Sequence, residues 1–213
     1  MTNNTTRTLR QGRPPRLLRD TFLLPRGLLG RAGGRLMARN PVQQEELAGL
    51  LATLSPREVC EIGSGPGTLA NLLAERCPAC RIDLVDPSAV MRAQAERRCR
   101  AEIKDGRVAI HAGAAEALPF ADARFDLVAA VNNVALWPDL DAGLREARRV
   151  LRGGGRVVIS WHSATAPDKM QRRLALSEAE AETLTKAMGE VFSGVQLRSL
   201  THSAVWEATV PQT

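Results

Sequence analysis

The chain has 213 residues, a hydrophobic content of 44% and a formal net charge of +6. That length fits one domain of ordinary size, and no apolar run is long enough to cross a bilayer. The positive charge is concentrated at the start, because residues 1–40 hold nine arginines and one acid, Asp20. A basic surface over the whole protein is therefore excluded, and we do not expect a nucleic-acid-binding protein.

The charge pattern divides the chain into two parts. Residues 1–40 form a basic segment, and residues 41–213 are predicted to form the domain. Residues 1–16 are polar and are predicted to be disordered. Residues 17–39 mix leucine and arginine in short helical pieces that proline and glycine interrupt.

Two interpretations of this basic segment follow from its composition. It is a lid that closes over a ligand site, with Arg35, Met37 and Asn40 lining the substrate side of the cleft. Alternatively, it is an amphipathic anchor whose leucines face a membrane surface. The prolines and glycines break a long amphipathic face, so the lid is the preferred interpretation.

From residue 41 onward, strand-like and helix-like segments alternate. Strands are predicted at 58–62, 81–85, 108–111, 125–131 and 156–161, and helices at 41–54, 68–77, 88–101 and 139–151. Such alternation implies right-handed crossovers and a parallel sheet. The apolar run from Leu127 to Val131 is typical of a strand that is buried on both faces.

The C-terminal part departs from this alternation. Ser177 and Glu180 have the spacing of a capping box and predict a helix from 177 to about 188. Stretches 195–200 and 204–210 then predict an antiparallel hairpin at the edge of the sheet. The predicted fold is α/β, a doubly wound, mainly parallel seven-stranded sheet with an antiparallel C-terminal hairpin and an N-terminal helical lid.

A glycine-rich loop follows the first predicted strand. Its glycines, Gly63, Gly65 and Gly67, are one residue short of the spacing that cradles a pyrophosphate, and Pro66 removes an N–H donor. Glu61 ends the strand just before the loop. A carboxylate there would repel a phosphate, but it would attract the ammonium and sulfonium groups of S-adenosylmethionine.

A second acidic residue, Asp86, ends the second predicted strand, 19 residues after Gly67. In an open α/β sheet this placement suits a carboxylate that accepts hydrogen bonds from both ribose hydroxyls. Asp86 alone fits any adenosine cofactor. Together with Glu61, it favours S-adenosylmethionine over a dinucleotide.

Five segments, in chain order, resemble the motifs of class I S-adenosylmethionine-dependent methyltransferases, in particular the small bacterial type 11 members. The segments are 59–68, 85–91, 113–120, 125–128 and 151–156. The resemblance covers about residues 57–161, and the ordered set is highly specific. It implies the Rossmann-like methyltransferase fold, S-adenosylmethionine as cofactor, and methyl transfer.

The resemblance also implies which residues hold the cofactor. Glu61 and the loop backbone would hold the methionine end, Asp86 the ribose, and Asn132 would lie beside the sulfonium. The implied cofactor-binding residues are Glu61, Gly63, Ser64, Gly65, Gly67, Asp86, Pro87, Met91, Ala115, Glu116 and Asn132. For Met91 and Glu116, a purely structural role is equally open, in helix packing and as a solvated loop charge respectively.

Methyl transfer depends mostly on positioning, and a base is needed only when the acceptor must lose a proton. His162 and Asn133 are the candidate catalytic residues, because they follow the fifth and fourth predicted strands at the expected cleft. Trp137 is a candidate wall of the acceptor pocket, with core packing as the alternative.

The sequence does not identify the acceptor. We expect methylation of a small molecule, as in specialised metabolism. One alternative is a lipid or quinone methyltransferase that acts at the membrane surface through the basic segment. Another is an S-adenosylmethionine-binding protein that does not methylate, such as a regulatory partner or a cyclase-like protein. A monomer and a homodimer are both compatible with the sequence.

Cys77 and Cys80 form a C-x-x-C pair at the end of a predicted helix. A reactive pair needs its first thiolate at a helix N-terminus, and no second pair completes a zinc site in the sequence. We therefore expect no metal site, no disulfide chemistry and a reducing, cytoplasmic compartment.

Overall fold

The computed structural model describes residues 6–9, 32–33 and 41–212. The three residues predicted to line the substrate side of a lid, Arg35, Met37 and Asn40, lie outside this described part of the chain. No helix among the described residues is long and apolar enough to cross a membrane.

A seven-stranded sheet forms the centre of the molecule. Its strands are β1 (Glu58–Ile62), β2 (Arg81–Asp86), β3 (Val108–Ala112), β4 (Phe125–Val131), β5 (Leu151–His162), β6 (Ser193–Ser199) and β7 (Ser203–Thr209). Their spatial order is β3-β2-β1-β4-β5-β7-β6. Strands β1 to β5 are parallel, and β7 pairs antiparallel with both β5 and β6. The predicted mainly parallel, doubly wound sheet with a C-terminal hairpin is confirmed.

Helices lie between the strands in the order that the sequence predicted. Within the described residues they are α1 (Val42–Thr53), α2 (Thr68–Arg76), α3 (Ala89–Arg98), α4 (Arg100–Lys104), α5 (Leu140–Val150), α6 (Lys169–Leu174) and α7 (Glu178–Val191), with a 3₁₀ turn at Val134–Leu136. The predicted capping box is present, because the Ser177 side chain accepts the Glu180 N–H and the Glu180 carboxylate accepts the Ser177 N–H.

Successive residues of β4 point into two different hydrophobic cores. Val128 and Ala130 face the core that α5 and α7 cover, whereas Leu127 and Ala129 face the core beneath α1, α2 and α3. Burial on both faces explains why this strand has an unbroken apolar sequence. Burial of each such leucine or valine side chain stabilises the folded state by roughly 1.5–3 kcal/mol. The central strands are therefore a stable support for the loops that follow them.

The start of the chain is docked onto this domain. The Arg7 carbonyl accepts the Leu140 N–H at 2.9 Å, in the first turn of α5. The Arg7 guanidinium lies 3.4 Å from Asp141 and 2.9 Å from Glu190. The Leu9 side chain is 7% exposed and belongs to the α5 and α7 core. The predicted disorder of residues 1–16 is therefore wrong for residues 6–9.

The structure differs from the prediction at the start of the fifth strand. The strand was predicted at 156–161, but β5 begins at Leu151 and follows α5 directly. The pairing of β4 with β5 is irregular there, because Phe125 lies opposite Leu151 and Leu127 opposite Arg156. The Gly154 N–H donates to the Val210 carbonyl at 3.0 Å. The Val210 contact comes from the distant C-terminal end, so the local sequence contained no sign of it.

Candidate cofactor site

The candidate site lies at the carboxyl ends of β1, β2 and β4. Strand β1 stands between β2 and β4, so the chain leaves β1 to one side and later returns to its other side. Open α/β sheets bind ligands at such a reversal of strand order. Glu61, the loop glycines and Asp86 therefore lie where the topology favours a ligand.

The loop after β1 turns tightly across the end of β2. The N–H groups of Gly63 and Ser64 both donate to the Val85 carbonyl, at 2.7 and 3.2 Å. The φ angle of Gly63 is +64°, and a Cβ atom there would lie 2.6 Å from the Asn133 amide nitrogen. Only glycine fits this backbone conformation at this distance.

Glu61 is a buried carboxylate behind this loop. The residue is 4% exposed, and its Oε2 atom has no hydrogen-bond partner among the described residues. Burial, followed by the charge of Asp86, raises the pKa of Glu61 to about 8. A natural protein leaves such a group unsatisfied at a cost, so it indicates a ligand with a positive charge.

Asp86 connects the loop to α3. Its two carboxylate oxygens accept the Gly65 and Ser88 N–H groups, each at 2.8 Å. Burial raises the pKa of Asp86, and the two N–H groups and Arg92 offset part of that rise. Each carboxylate oxygen retains a second lone pair, which is the acceptor capacity that a pair of hydroxyls needs.

Two adjacent asparagines follow β4 and contact different parts of the site. The Asn133 amide nitrogen donates to the Ile62 carbonyl at 2.7 Å, and its oxygen accepts the Trp137 indole N–H at 2.8 Å. Asn132 has a φ of +52° and forms two hydrogen bonds with the Gln43 amide, at 2.7 and 3.2 Å. Asn133 therefore clamps the loop, and Asn132 joins α1.

The role of Gln43 was not predicted. Gln43 is buried, with 3% of its surface exposed. It occupies the first position of the stripe that continues through Leu47, Leu50, Leu51 and Leu54, at the spacing of one helix face. A glutamine on a buried stripe needs hydrogen-bond partners, and this signal could have identified it.

A surface depression of about 310 Å³ lies elsewhere, at the amino ends of β1 and β4. Arg57, Asp126 and Arg156 line it. It is at the opposite edge of the sheet from the glycine loop. Cavity volume would place the site at this depression, whereas the chemistry of the side chains places it at the glycine loop. The unsatisfied carboxylate and the strained loop are both at the other edge, and they carry more weight than volume.

The comparisons with known proteins agree with this placement. A family model for a methyltransferase domain matches residues 59–155. The ubiquinone/menaquinone biosynthesis C-methyltransferase of Paracoccus denitrificans is 31% identical over 148 residues, which are 62% of this chain and 58% of that relative. The demethylmenaquinone methyltransferase of Thermotoga maritima is 36% identical over 110 residues, 52% of this chain and 45% of that relative.

A solved structure from Methanococcus maripaludis, described as an S-adenosyl-L-methionine-dependent methyltransferase, has a TM-score of 0.73 at 20% identity. It covers 86% of this chain and 94% of its own. Over residues 59–155 the chain is therefore similar to a methyltransferase domain. The predicted family resemblance is confirmed. The chain spans about half the length of the two curated relatives.

S-adenosylmethionine is the cofactor of this class of methyltransferase domain, and the residues present fit it. The unsatisfied Glu61 carboxylate suits an ammonium group. Asp86 has acceptor capacity for two hydroxyls. Gly63 has no side chain, so a ligand can come close to the loop backbone. A dinucleotide would bring its pyrophosphate against Glu61 instead, which is electrostatically unfavourable.

The residues predicted near the adenine lie in two groups within residues 59–155. Met91 is buried in the first turn of α3, where its N–H donates to the Ser88 hydroxyl at 3.3 Å, and Pro87 is exposed beside it. Ala115 is buried in the α5 core. The Glu116 carboxylate accepts the Asp139 N–H at 3.3 Å.

The residues predicted on the acceptor side have mixed placements. Trp137 is buried, and a Cβ atom on Gly143 of α5 would lie 2.5 Å from its ring. This contact favours the packing role over a pocket wall. His162 ends β5 and is half-buried, with its ring edge-on to Trp161 at a centroid distance of 6.1 Å. The amide of Asn133 is occupied by loop contacts, which favours positioning over catalysis.

Proposed function

We propose that this chain transfers the methyl group of S-adenosylmethionine to a small-molecule acceptor. The observation that carries the proposal is Glu61, a buried carboxylate at the switch point with an oxygen that no described residue satisfies. It stands beside Asp86 and a loop that only glycine can form.

In this proposal each residue has a separate task. Glu61 binds the ammonium group of the methionine end, and Asp86 accepts the ribose hydroxyls. Asn133 holds the loop in place through the Ile62 carbonyl and does not act as an acid or a base. When bound, S-adenosylmethionine supplies an electrophilic methyl group whose leaving group is a neutral thioether. His162 is the proposed base when the acceptor atom must lose a proton.

The first experiment is calorimetric titration of S-adenosylmethionine, S-adenosylhomocysteine and NAD into the purified chain. We expect the two sulfur compounds to bind and NAD not to bind. Asp86→Ala should weaken binding, whereas Asp105→Ala, an exposed aspartate at the end of α4, should not. Binding of NAD alone, or of none of the three, would overturn the cofactor assignment.

The class of acceptor is a second proposal, and it rests on the relatives. Two of them are named as quinone-pathway methyltransferases, so a hydroxylated aromatic or quinol is the first acceptor class to test. Incubation with such an acceptor should produce S-adenosylhomocysteine and a methylated product in equal amounts. Cofactor binding without product from any acceptor class would favour the alternative of a binding protein that does not methylate.

A further inference from the structure

The amide pair between Gln43 and Asn132 brings α1 into the candidate site. The Asn132 Nδ2 group donates to the Gln43 Oε1 atom at 2.7 Å, and the Gln43 Nε2 group donates to the Asn132 Oδ1 atom at 3.2 Å. Gln43 lies outside residues 59–155, which the family model matches. The segment that the family model matches therefore does not contain this contact.

A second contact fixes α1 across the same edge of the sheet. The Glu46 carboxylate accepts the N–H groups of Thr201 and His202, at 2.8 and 3.1 Å, in the turn between β6 and β7. Gln43 and Glu46 are three residues apart and lie on neighbouring positions of one helix face. Helix α1 is thus held between the end of β4 and the hairpin turn.

The backbone at Asn132 gives the pair a positional role. Its φ of +52° is a conformation that L side chains seldom adopt, and its N–H donates to the Ser160 carbonyl of β5 at 2.9 Å. Its neighbour Asn133 contacts both carbonyls at the start of the glycine loop. Asn132 is therefore the neighbour of Asn133, which holds the glycine loop. The two hydrogen bonds from Gln43 fix the orientation of the Asn132 side-chain amide.

We propose that Gln43 is a positioning residue of the cofactor site, which acts through Asn132 and favours S-adenosylmethionine over S-adenosylhomocysteine. The inference rests on the proposed function. An amide oxygen that accepts one hydrogen bond keeps a second lone pair and a partial negative charge. That charge attracts a sulfonium, but it has little effect on a neutral thioether.

The test compares two dissociation constants in each variant by calorimetry. In Gln43→Leu the Asn132 amide loses its partner, so we expect S-adenosylmethionine to bind about fivefold more weakly, the loss of one modest hydrogen bond. Binding of S-adenosylhomocysteine should stay within about twofold, on the same grounds.

Glu46→Ala is the matched control, because it removes the hydrogen bonds between α1 and the hairpin turn and leaves the amide pair intact. Its ratio of the two dissociation constants should equal that of the wild type. The side-chain NH₂ resonances of Gln43 and Asn132 provide a second readout by NMR. Both should move further with S-adenosylmethionine than with S-adenosylhomocysteine.

The outcomes separate this inference from the proposed function. If the wild type binds neither compound, the proposed function fails, and the inference fails with it. If both compounds bind but Gln43→Leu weakens them equally, or neither, Gln43 has only a structural role and the inference alone is wrong. The same conclusion follows if Glu46→Ala changes the ratio as much as Gln43→Leu does.

Discussion

Asp83 and Asp86 belong to the same strand, β2, and both are buried, yet their surroundings are opposite. Asp83 pairs with the Arg124 guanidinium at 2.5 Å and the His111 ring at 2.6 Å. Among the residues that the structure describes, the Asp86 carboxylate accepts only backbone N–H groups, those of Gly65 and Ser88. Asp83 has its charge satisfied within the protein, whereas Asp86 keeps acceptor capacity at the sheet edge that carries the loops.

The same contrast extends across the two edges of the sheet. Near the amino ends, Asp126 pairs with Arg152 and Glu207 with Arg156. At the carboxyl ends, Glu61 has an unsatisfied oxygen. Burial dominates the electrostatics of Glu61, while hydrogen bonds and arginine lower the pKa of Asp126. Paired carboxylates contribute to stability, and the unpaired ones are available for a ligand.

The largest expected effect distinguishes the two aspartates of β2 by binding. Asp86→Asn removes the charge that would hold the ribose hydroxyls, so cofactor affinity should fall about 100-fold, as for two charge-assisted hydrogen bonds. Asp83→Asn is the matched control on the same strand, and its affinity should stay within about twofold. Calorimetry measures both. Equal losses in the two variants would contradict the division between them.

The next effect concerns stability at Asp83. Arg124→Met removes the guanidinium and leaves a buried carboxylate with only His111, so the free energy of unfolding should fall by about 2 kcal/mol. The cation–π contacts of Arg124 with Phe120 and Phe125 are lost as well. Urea denaturation measures the change. Arg145→Met, at an exposed position of α5, should change stability by less than about 0.5 kcal/mol.

The pH dependence of Glu61 is the third test. Its folded pKa, about 8, is above the ordinary value of 4.5. The folded state then holds a proton that the unfolded state releases, so stability falls as pH rises through this window, by up to about 1.4 kcal/mol per pH unit. Glu61→Gln should remove this slope, whereas Glu96→Gln, an exposed position of α3, should retain it.

Cofactor binding should show the opposite trend in the same pH window. A bound ammonium favours the ionised Glu61 carboxylate, so wild-type affinity should rise as pH approaches the pKa of Glu61, about 8. Glu61→Gln should bind more weakly and lose this pH dependence. If the wild-type affinity does not change between pH 4.5 and about pH 8, Glu61 does not contact the cofactor.

The smallest expected effect has the reverse sign in pH and concerns Asp126. Burial alone would raise its pKa, but the N–H groups of Glu58 and Arg57, together with Arg152, lower it overall. Its stabilisation is therefore present above the ordinary value of 3.8 and is lost as pH falls below it. Asp126→Asn should cost about 0.5 kcal/mol at neutral pH, because the group is partly exposed. As the pH is lowered, the free energies of unfolding of the wild type and of Asp126→Asn should become equal.

Local patterns were enough to predict the strands and the cofactor loop. Strand β1 has the predicted bounds because its apolar run ends at a glycine turn, and β4 has them because burial on both faces requires an unbroken apolar run. Glu61, the loop glycines and Asp86 do lie together, as the carboxyl ends of adjacent parallel strands must. Their cofactor-binding roles remain predictions, as do those of His162 and Trp137.

Contacts between distant segments account for what the sequence did not reveal. The Gln43 pair joins residues 89 positions apart, and the Asn133 contact with Ile62 joins residues 71 apart. The short helix α6 has Asp168 as its N-cap, and the Asp168 carboxylate accepts the Gln171 N–H at 2.8 Å. A six-residue helix has too few turns to produce a periodic signal.

The docking of Arg7 and Leu9 has a consequence for how the protein is made. Arg7 and Glu190 are 183 positions apart, so a ribosome must synthesise most of the domain before this ion pair can form. During synthesis the sheet can begin to fold while Leu9 is still in water. The first described residues should therefore join the native structure last.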